Sequence, residues 1–261
     1  MRISAVTMPL IAIATGAVGF YMRLTELMSV FDEYTGLPQR GASITIALIV
    51  VSAMFLVFLF LFALRATLKY KAQPGFEKAF GTDYTKYPIA FSVYGVIWLG
   101  ATVARFIELY STGQLPLVEL LFMMMSALSA VSVAFFAIEM YREPRHRLVI
   151  VLSIVPTLFM CFWLILMYRQ NATNPILISY AYYCLAIIAS ALGFYFTSGF
   201  AYNKPAPGKA IFSFLAAVYF CFVTLADDHM STDKIILVVI IGVNTAYASM
   251  LIKNLEVKER E

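Results

Sequence analysis

Long apolar runs alternate with short polar segments along the whole chain. The runs cover about residues 3–22, 43–64, 88–110, 117–141, 148–168, 176–201, 210–226 and 235–252. A helix that crosses the hydrocarbon core needs about 20 mostly apolar residues, with a lower limit near 17. Seven of the runs exceed that limit, and the run ending at Asp227-Asp228 sits on it. The runs are continuously apolar and do not alternate in segments of roughly 10 residues, as the strands of a membrane barrel do. In lipid every backbone amide and carbonyl must be paired within the protein, which leaves the helix. The pattern predicts an all-α, polytopic transmembrane helical bundle of about eight helices, forming one domain over residues 1–261. The first run follows Arg2 and could pass for a secretion signal. It reaches about 20 residues and ends in Phe20-Tyr21-Met22-Arg23 with no small-residue cleavage site, so it is read as a retained helix.

Composition agrees with this reading. Of the 261 residues 62% are hydrophobic and 13% charged, with a mean hydropathy of +0.83. Soluble domains carry roughly 45–50% apolar and about 25% charged residues, so a soluble fold is excluded.

The 19 basic residues set an orientation. Fourteen fall at the N-terminal tip or after the even-numbered spans: Arg2; Arg65, Lys69, Lys71, Lys78 and Lys86; Arg142, Arg145 and Arg147; Lys204 and Lys209; Lys253, Lys258 and Arg260. Four follow the odd-numbered spans, namely Arg23, Arg40, Arg169 and Lys234, and Arg105 lies inside the third. Over short loops this bias places both termini in the cytoplasm. Losing or adding one span would mix the two loop sets. The net charge of +4 then reads as attraction to anionic lipids at the cytoplasmic face of the membrane. No base-reading motif accompanies it, so nucleic acid is not an expected partner. A membrane-protein partner or a homo-oligomer is compatible with the pattern. Cys161, Cys184 and Cys221 each fall in a separate span, where thiols behave as small apolar groups.

Two loops carry further patterning. After the first span, Leu24, Leu27, Met28 and Phe31 recur at helical spacing, so a short helix extends that span or lies on the outer surface. Asp32-Glu33-Tyr34-Thr35-Gly36-Leu37-Pro38 breaks it, giving either an outer lid or a connector resting on the bilayer. Between Arg65 and Tyr87, bases alternate with aromatics, as at a headgroup interface or a partner-docking surface.

Ionisable groups at membrane depth are costly and prompt a functional hypothesis. Arg105 lies about five residues inside the third span, Glu108 follows at i+3, and Glu119 sits just inside the fourth. With Arg23 and Glu26 at the outer end of the first span, they form the candidate ligand-binding group. Either they line an outward cavity for a polar solute or ion, or Arg105 is neutralised by Glu108 or Glu119 and pins two helices. Arg23, Arg105 and Arg169 also fit snorkelling to the interface. Asp227, Asp228, His229 and Asp233 offer ligands of the type a hard divalent cation takes, in no defined metal spacing. Glu139 and Arg142 are spaced for a local ion pair, and Asn244-Thr245 for adhesion between helices. Pro9 and Pro156 fall inside spans, where each frees a carbonyl and can kink the helix. Met123-Met124-Met125 suits adaptable packing.

Absences narrow the classes. The last span has no central lysine for a retinal Schiff base, and no H-E-x-x-H, G-x-S-x-G or phosphate-binding glycine loop occurs. His146 and His229 fall on opposite sides of the membrane. No catalytic residue and no cofactor is implied. Asn171-Ala172-Thr173 fits the glycosylation pattern formally and lies too close to the membrane to count. Tyr21-Met22-Arg23 and Met167-Tyr168-Arg169 end the first and fifth spans alike, a faint hint of duplication.

Arg23 to Gly41, with Phe31-Asp32 and Thr35-Gly36-Leu37, and Gly199-Phe200-Ala201-Tyr202 leading to Leu225-Ala226-Asp227, resemble an uncharacterised family of small polytopic membrane proteins from anaerobic Gram-positive bacteria. The resemblance implies a bacterial plasma membrane and supplies no activity and no functional residues. Three classes remain open: a non-catalytic accessory or sensory membrane component, a small-solute or ion transporter, and a lipid-processing enzyme using Asp227, Asp228 and His229 at the outer face.

Overall fold

Each apolar run forms one helix in the computed structural model. The structure describes residues 4–31, 39, 41–72, 74–82, 84–113, 116–139, 146–173 and 176–257, and the side chains of 138, 139, 146 and 147 lie outside the description. In chain order the elements are α1 (Ser4–Ser29), α2 (Ser43–Lys69), β1 (Tyr70–Lys71), α3 (Phe76–Phe80), α4 (Lys86–Ser111), α5 (Leu117–Glu139), α6 (His146–Asn171), α7 (Leu177–Ala201), α8 (Pro207–Thr224), α9 (Ser231–Lys253) and β2 (Glu256–Val257). Eight of these helices are long and apolar enough to cross a membrane. The chain is a multi-pass integral membrane protein.

The helices outrun the apolar runs where charge is paired or reaches the interface. α1 continues past Met22 to Ser29 because Arg23 and Glu26 are ion-paired inside the protein. The periodic residues Leu24, Leu27 and Met28 thus extend the first span. α2 continues to Lys69, with Arg65 exposed on its last turns. α8 opens with Pro207 in its first turn, where the missing amide hydrogen has no intrahelical role. Pro9 and Pro156 both sit within continuous helices. The breaker 32–38 and the Glu139–Arg142 pair lie outside the described residues.

α8 and α9 form the axis of the bundle. Over their spanning windows 78% and 72% of residues are buried, against 28% for α2. α4, α5, α6 and α7 follow one another as antiparallel neighbours, and their line is closed by α4 on α9 and α7 on α8. On the other side of the axis, α1 packs against α8 and α9, and α2 against α1 and α8. Two glycines allow close crossings. A Cβ on Gly19 of α1 would lie 2.7 Å from Val223 of α8, and one on Gly242 of α9 would lie 2.5 Å from the Tyr94 ring of α4. Without a hydrophobic force between helices in lipid, such close packing is what holds them.

The space inside the α4–α9 ring is filled with rings. Trp98 of α4 meets Phe159 of α6 at 5.7 Å, Phe122 of α5 lies 5.5 Å from Trp163, and Trp163 lies 6.1 Å from Tyr183 of α7. A second cluster gathers around Tyr247 of α9, where Phe80 from the short helix α3, Phe91 and Phe214 all lie within 6 Å.

The two ends of the bundle differ. At one, β1 and β2 pair antiparallel, with Tyr70 opposite Val257. There the Asn254 amide donates 3.0 Å hydrogen bonds to the Ala79 and Gly81 carbonyls, fixing α3. The other end gathers the C-termini of α1, α4 and α8 with the N-termini of α5, α7 and α9, and it holds the buried charges.

Candidate functional site

Each of two arginines faces two carboxylates at this charged end. Arg23, six residues from the end of α1, has no solvent exposure. Its Nε donates to Asp227 Oδ1 at 2.7 Å, Nη1 to Glu26 Oε2 at 2.8 Å, and Nη2 to the Ser179 carbonyl at 3.0 Å. Thr45 of α2 donates to the other Glu26 oxygen at 2.6 Å, and the guanidinium lies 5.5 Å from the Tyr182 ring centre. One side chain thereby joins α1, α2, α7 and the α8–α9 connection. Beneath it, Ser52 Oγ lies 2.7 Å from Tyr219 OH and 3.5 Å from Tyr182 OH.

Arg105, on the last turns of α4, donates from Nε and Nη2 to Glu119 Oε2 at 3.1 and 2.9 Å, and from Nη1 to Asp233 of α9. Its guanidinium stacks 4.6 Å from the Phe122 ring centre. Below it Thr102 and Ser126 hydroxyls meet at 2.8 Å, and Trp98 Nε1 donates to Ser126 at 3.0 Å. Both arginines hold bonded carboxylates on neighbouring elements, the arrangement that lets a guanidinium be buried.

The α8–α9 connection supplies a carboxylate to each cluster, Asp227 to Arg23 and, at the start of α9, Asp233 to Arg105. Between them His229 lies against Tyr183, with ring centres 4.1 Å apart and the planes tilted by 32°. The phenol beneath accepts a 2.7 Å hydrogen bond from Trp163 Nε1. His229 Nε2 lies 3.9 Å from Asp227 Oδ2, and both atoms are buried with no hydrogen-bond partner. Burial pushes the His229 imidazole down to about 4, with help from Lys234. Burial also raises the Asp227 carboxyl against the pull of Arg23. The imidazole is therefore neutral at pH 7.

The sequence-based ligand group is divided by the structure. Arg23 and Glu26 belong to one cluster; Arg105 and Glu119 belong to another. Glu108 is exposed and makes no ion pair among the described residues. Asp227 and Asp233 are drawn to different arginines and Asp228 is exposed. Among the described residues no group of three or more His, Cys, Asp and Glu side chains is placed to hold a metal ion. Arg169, the counterpart of Arg23 in the hinted duplication, is exposed. Asn244 bonds the Ile240 carbonyl of its own helix at 2.9 Å while its Oδ1 faces Gly193 of α7. Asp233 as a partner of Arg105, and Thr45, the Ser179 carbonyl and Tyr182 as partners of the Arg23 cluster, escaped the sequence reading. Alternation of the spans was the available signal for Asp233, since it brings the end of α4 and the start of α9 to the same side.

A scan of protein-family models, a search of curated proteins and a search of solved structures each give no match to this chain.

Proposed function

We propose that this protein is a non-catalytic accessory or sensory component of a bacterial plasma membrane, with both termini cytoplasmic and the charged end facing outward. The observation that carries this reading is closure. Arg105 is bound between Glu119 and Asp233 over Phe122, Arg23 has no exposure and lies over Tyr182, and rings fill the interior beneath Arg105. An outward binding cavity would leave a guanidinium donor facing open space. Here the donors tie helices together, which suits a rigid body that works through its surfaces. The orientation rests on the basic residues around the strand end, and the bacterial plasma membrane on the resemblance named above.

A transporter is the second reading. Each arginine faces two carboxylates, so a fully ionised cluster carries one excess negative charge. Asp227 Oδ2 and His229 Nε2 are buried without partners, as a proton- or cation-binding position would be.

The test is reconstitution of the full chain in liposomes with pH- and cation-sensitive dyes, alongside affinity capture from the native membrane. The accessory reading expects no flux above protein-free liposomes and a co-purifying membrane protein in stable ratio. Cation or proton flux abolished by Arg105→Gln in a normally folded protein would replace it with the transporter. Labelling of a cysteine placed at Asp228 from outside intact cells checks the orientation.

A further inference from the structure

A lateral cleft of about 580 Å3 opens between α2 and α7, floored by α8. Its position follows from the start of α8. Gly208 lets the α8 backbone press against α2, since a Cβ there would lie 2.7 Å from the Ala63 carbonyl. α7 packs on α8 from the other side, and α2 and α7 form the two walls. Phe60 and Leu64 of α2, Leu192 and Phe196 of α7, and Phe212 of α8 line it. The Ser213 hydroxyl at its floor turns back to the Lys209 carbonyl at 2.9 Å, so it does not make the floor polar.

One end of the cleft is different. It closes on the first turn of α8, where Lys209 lines the rim and is exposed. Phe60 to Thr67 spans roughly 10 Å of helix rise, so the cleft runs from the end of the spans into hydrocarbon depth. Its volume is in the range of small-molecule sites. An apolar slot open to the bilayer, with a cation at its headgroup end, has the polarity of an anionic lipid. Basic pockets between membrane helices bind such headgroups.

We infer that the α2–α7 cleft holds one acyl chain of an anionic phospholipid, with the headgroup phosphate at the Lys209 ammonium. This site distinguishes lipids by headgroup because Lys209 stands at the rim of the slot that takes the chain.

The experiment is native mass spectrometry of the full chain in detergent, titrated with phosphatidylglycerol or phosphatidylcholine of identical chains. The wild type is expected to retain one phosphatidylglycerol with roughly fivefold preference, the factor that one basic group near a lipid surface supplies. Lys209→Gln should bring the two lipids to parity. Leu192→Trp, which fills the slot, should lower retention of both; Leu64→Trp does the same from the facing wall if the first variant is not monodisperse. Absence of a headgroup preference in the wild type, or a preference untouched by Lys209→Gln, overturns the inference. A change of oligomeric mass in Leu192→Trp with unchanged lipid retention would give the cleft to a second protein. Displacement of the lipid by inorganic phosphate alone would give the rim to a free anion. The readout is independent of the accessory reading, because lipid retention reports on the cleft whether or not the protein transports a solute.

Discussion

The Arg23 and Arg105 clusters are built from the same parts and are sealed to different degrees. Arg23 sends its three nitrogens to three acceptors on three elements, and its partners Glu26 and Asp227 are 1% and 7% exposed at the side chain. Arg105 spends two nitrogens on a single Glu119 oxygen, and Glu119 and Asp233 are 17% and 12% exposed. The first is a dry joint between the two sides of the bundle. The second is a clasp at the rim, and water can take over part of its work. A buried charge that loses its partner costs several kcal/mol, whereas one within reach of solvent is partly rescreened. The two arginines therefore differ in what their removal leaves behind.

The strongest test is Arg23→Gln, which strands two buried carboxylates. It should cost about 3–5 kcal/mol and prevent accumulation in the membrane, as checked by blotting membrane fractions and by thermal melts in detergent. Adding Glu26→Gln and Asp227→Asn should restore most of the loss, since the penalty lies in the orphaned charges. A single variant that accumulates normally would break the distinction between joint and clasp.

Acid should strike the Arg23 side next, through His229. Its imidazole titrates near 4 when folded and near 6.5 when unfolded, so the unfolded chain binds the proton first. Stability is then lost as pH falls from 6.5 towards 4, by as much as about 3 kcal/mol. Asp227 opposes this. Its carboxyl is raised in the folded protein, so its contribution grows as pH falls through the folded value and reduces the net loss. Melting temperature followed from pH 7 to 4 reports the balance. His229→Phe keeps an aromatic ring against Tyr183, removes the imidazole proton and should flatten the acid limb.

Arg105→Gln should cost about 2 kcal/mol, the scale of hydrogen bonds to charged groups, and should leave the protein folded. A loss equal to that of Arg23→Gln would show the rim to be as dry as the joint. The smallest effect is at the opposite end. Asn254→Ala removes hydrogen bonds to the Ala79 carbonyl of α3 and the Gly81 carbonyl just after it and should cost about 1 kcal/mol, leaving the acid limb unchanged. A change in the acid limb would mean that the two ends are coupled.

How far the sequence could be read depended on the range of the interaction. The eight spans were legible because lipid imposes a local rule of about 20 apolar residues with every backbone group paired within the helix. Their ends were less so. α1 outran its apolar run by seven residues, because whether Arg23 and Glu26 can be buried depends on Asp227, 204 residues away from Arg23. The sequence left Arg105 two partners, Glu119 and, at i+3, Glu108. Glu108 faces outward because the arginine turns to α5 and α9, where carboxylates on two elements converge. α3 was invisible in the hydropathy pattern. It is held by contacts made elsewhere, with Phe80 packed on Tyr247 and the Ala79 carbonyl bonded by Asn254.

The sequence by itself determined the solvent, the helical fold and the number of crossings, because each follows from the polarity of contiguous residues and from a backbone with no partner in lipid. Tertiary structure alone decided which helices form the axis, which acid belongs to which arginine, and where a cleft opens beside α8. Those outcomes turn on shape and on charges far apart in the chain: the glycine crossings that let helices touch, and carboxylates that become affordable at depth only when a guanidinium from another helix meets them.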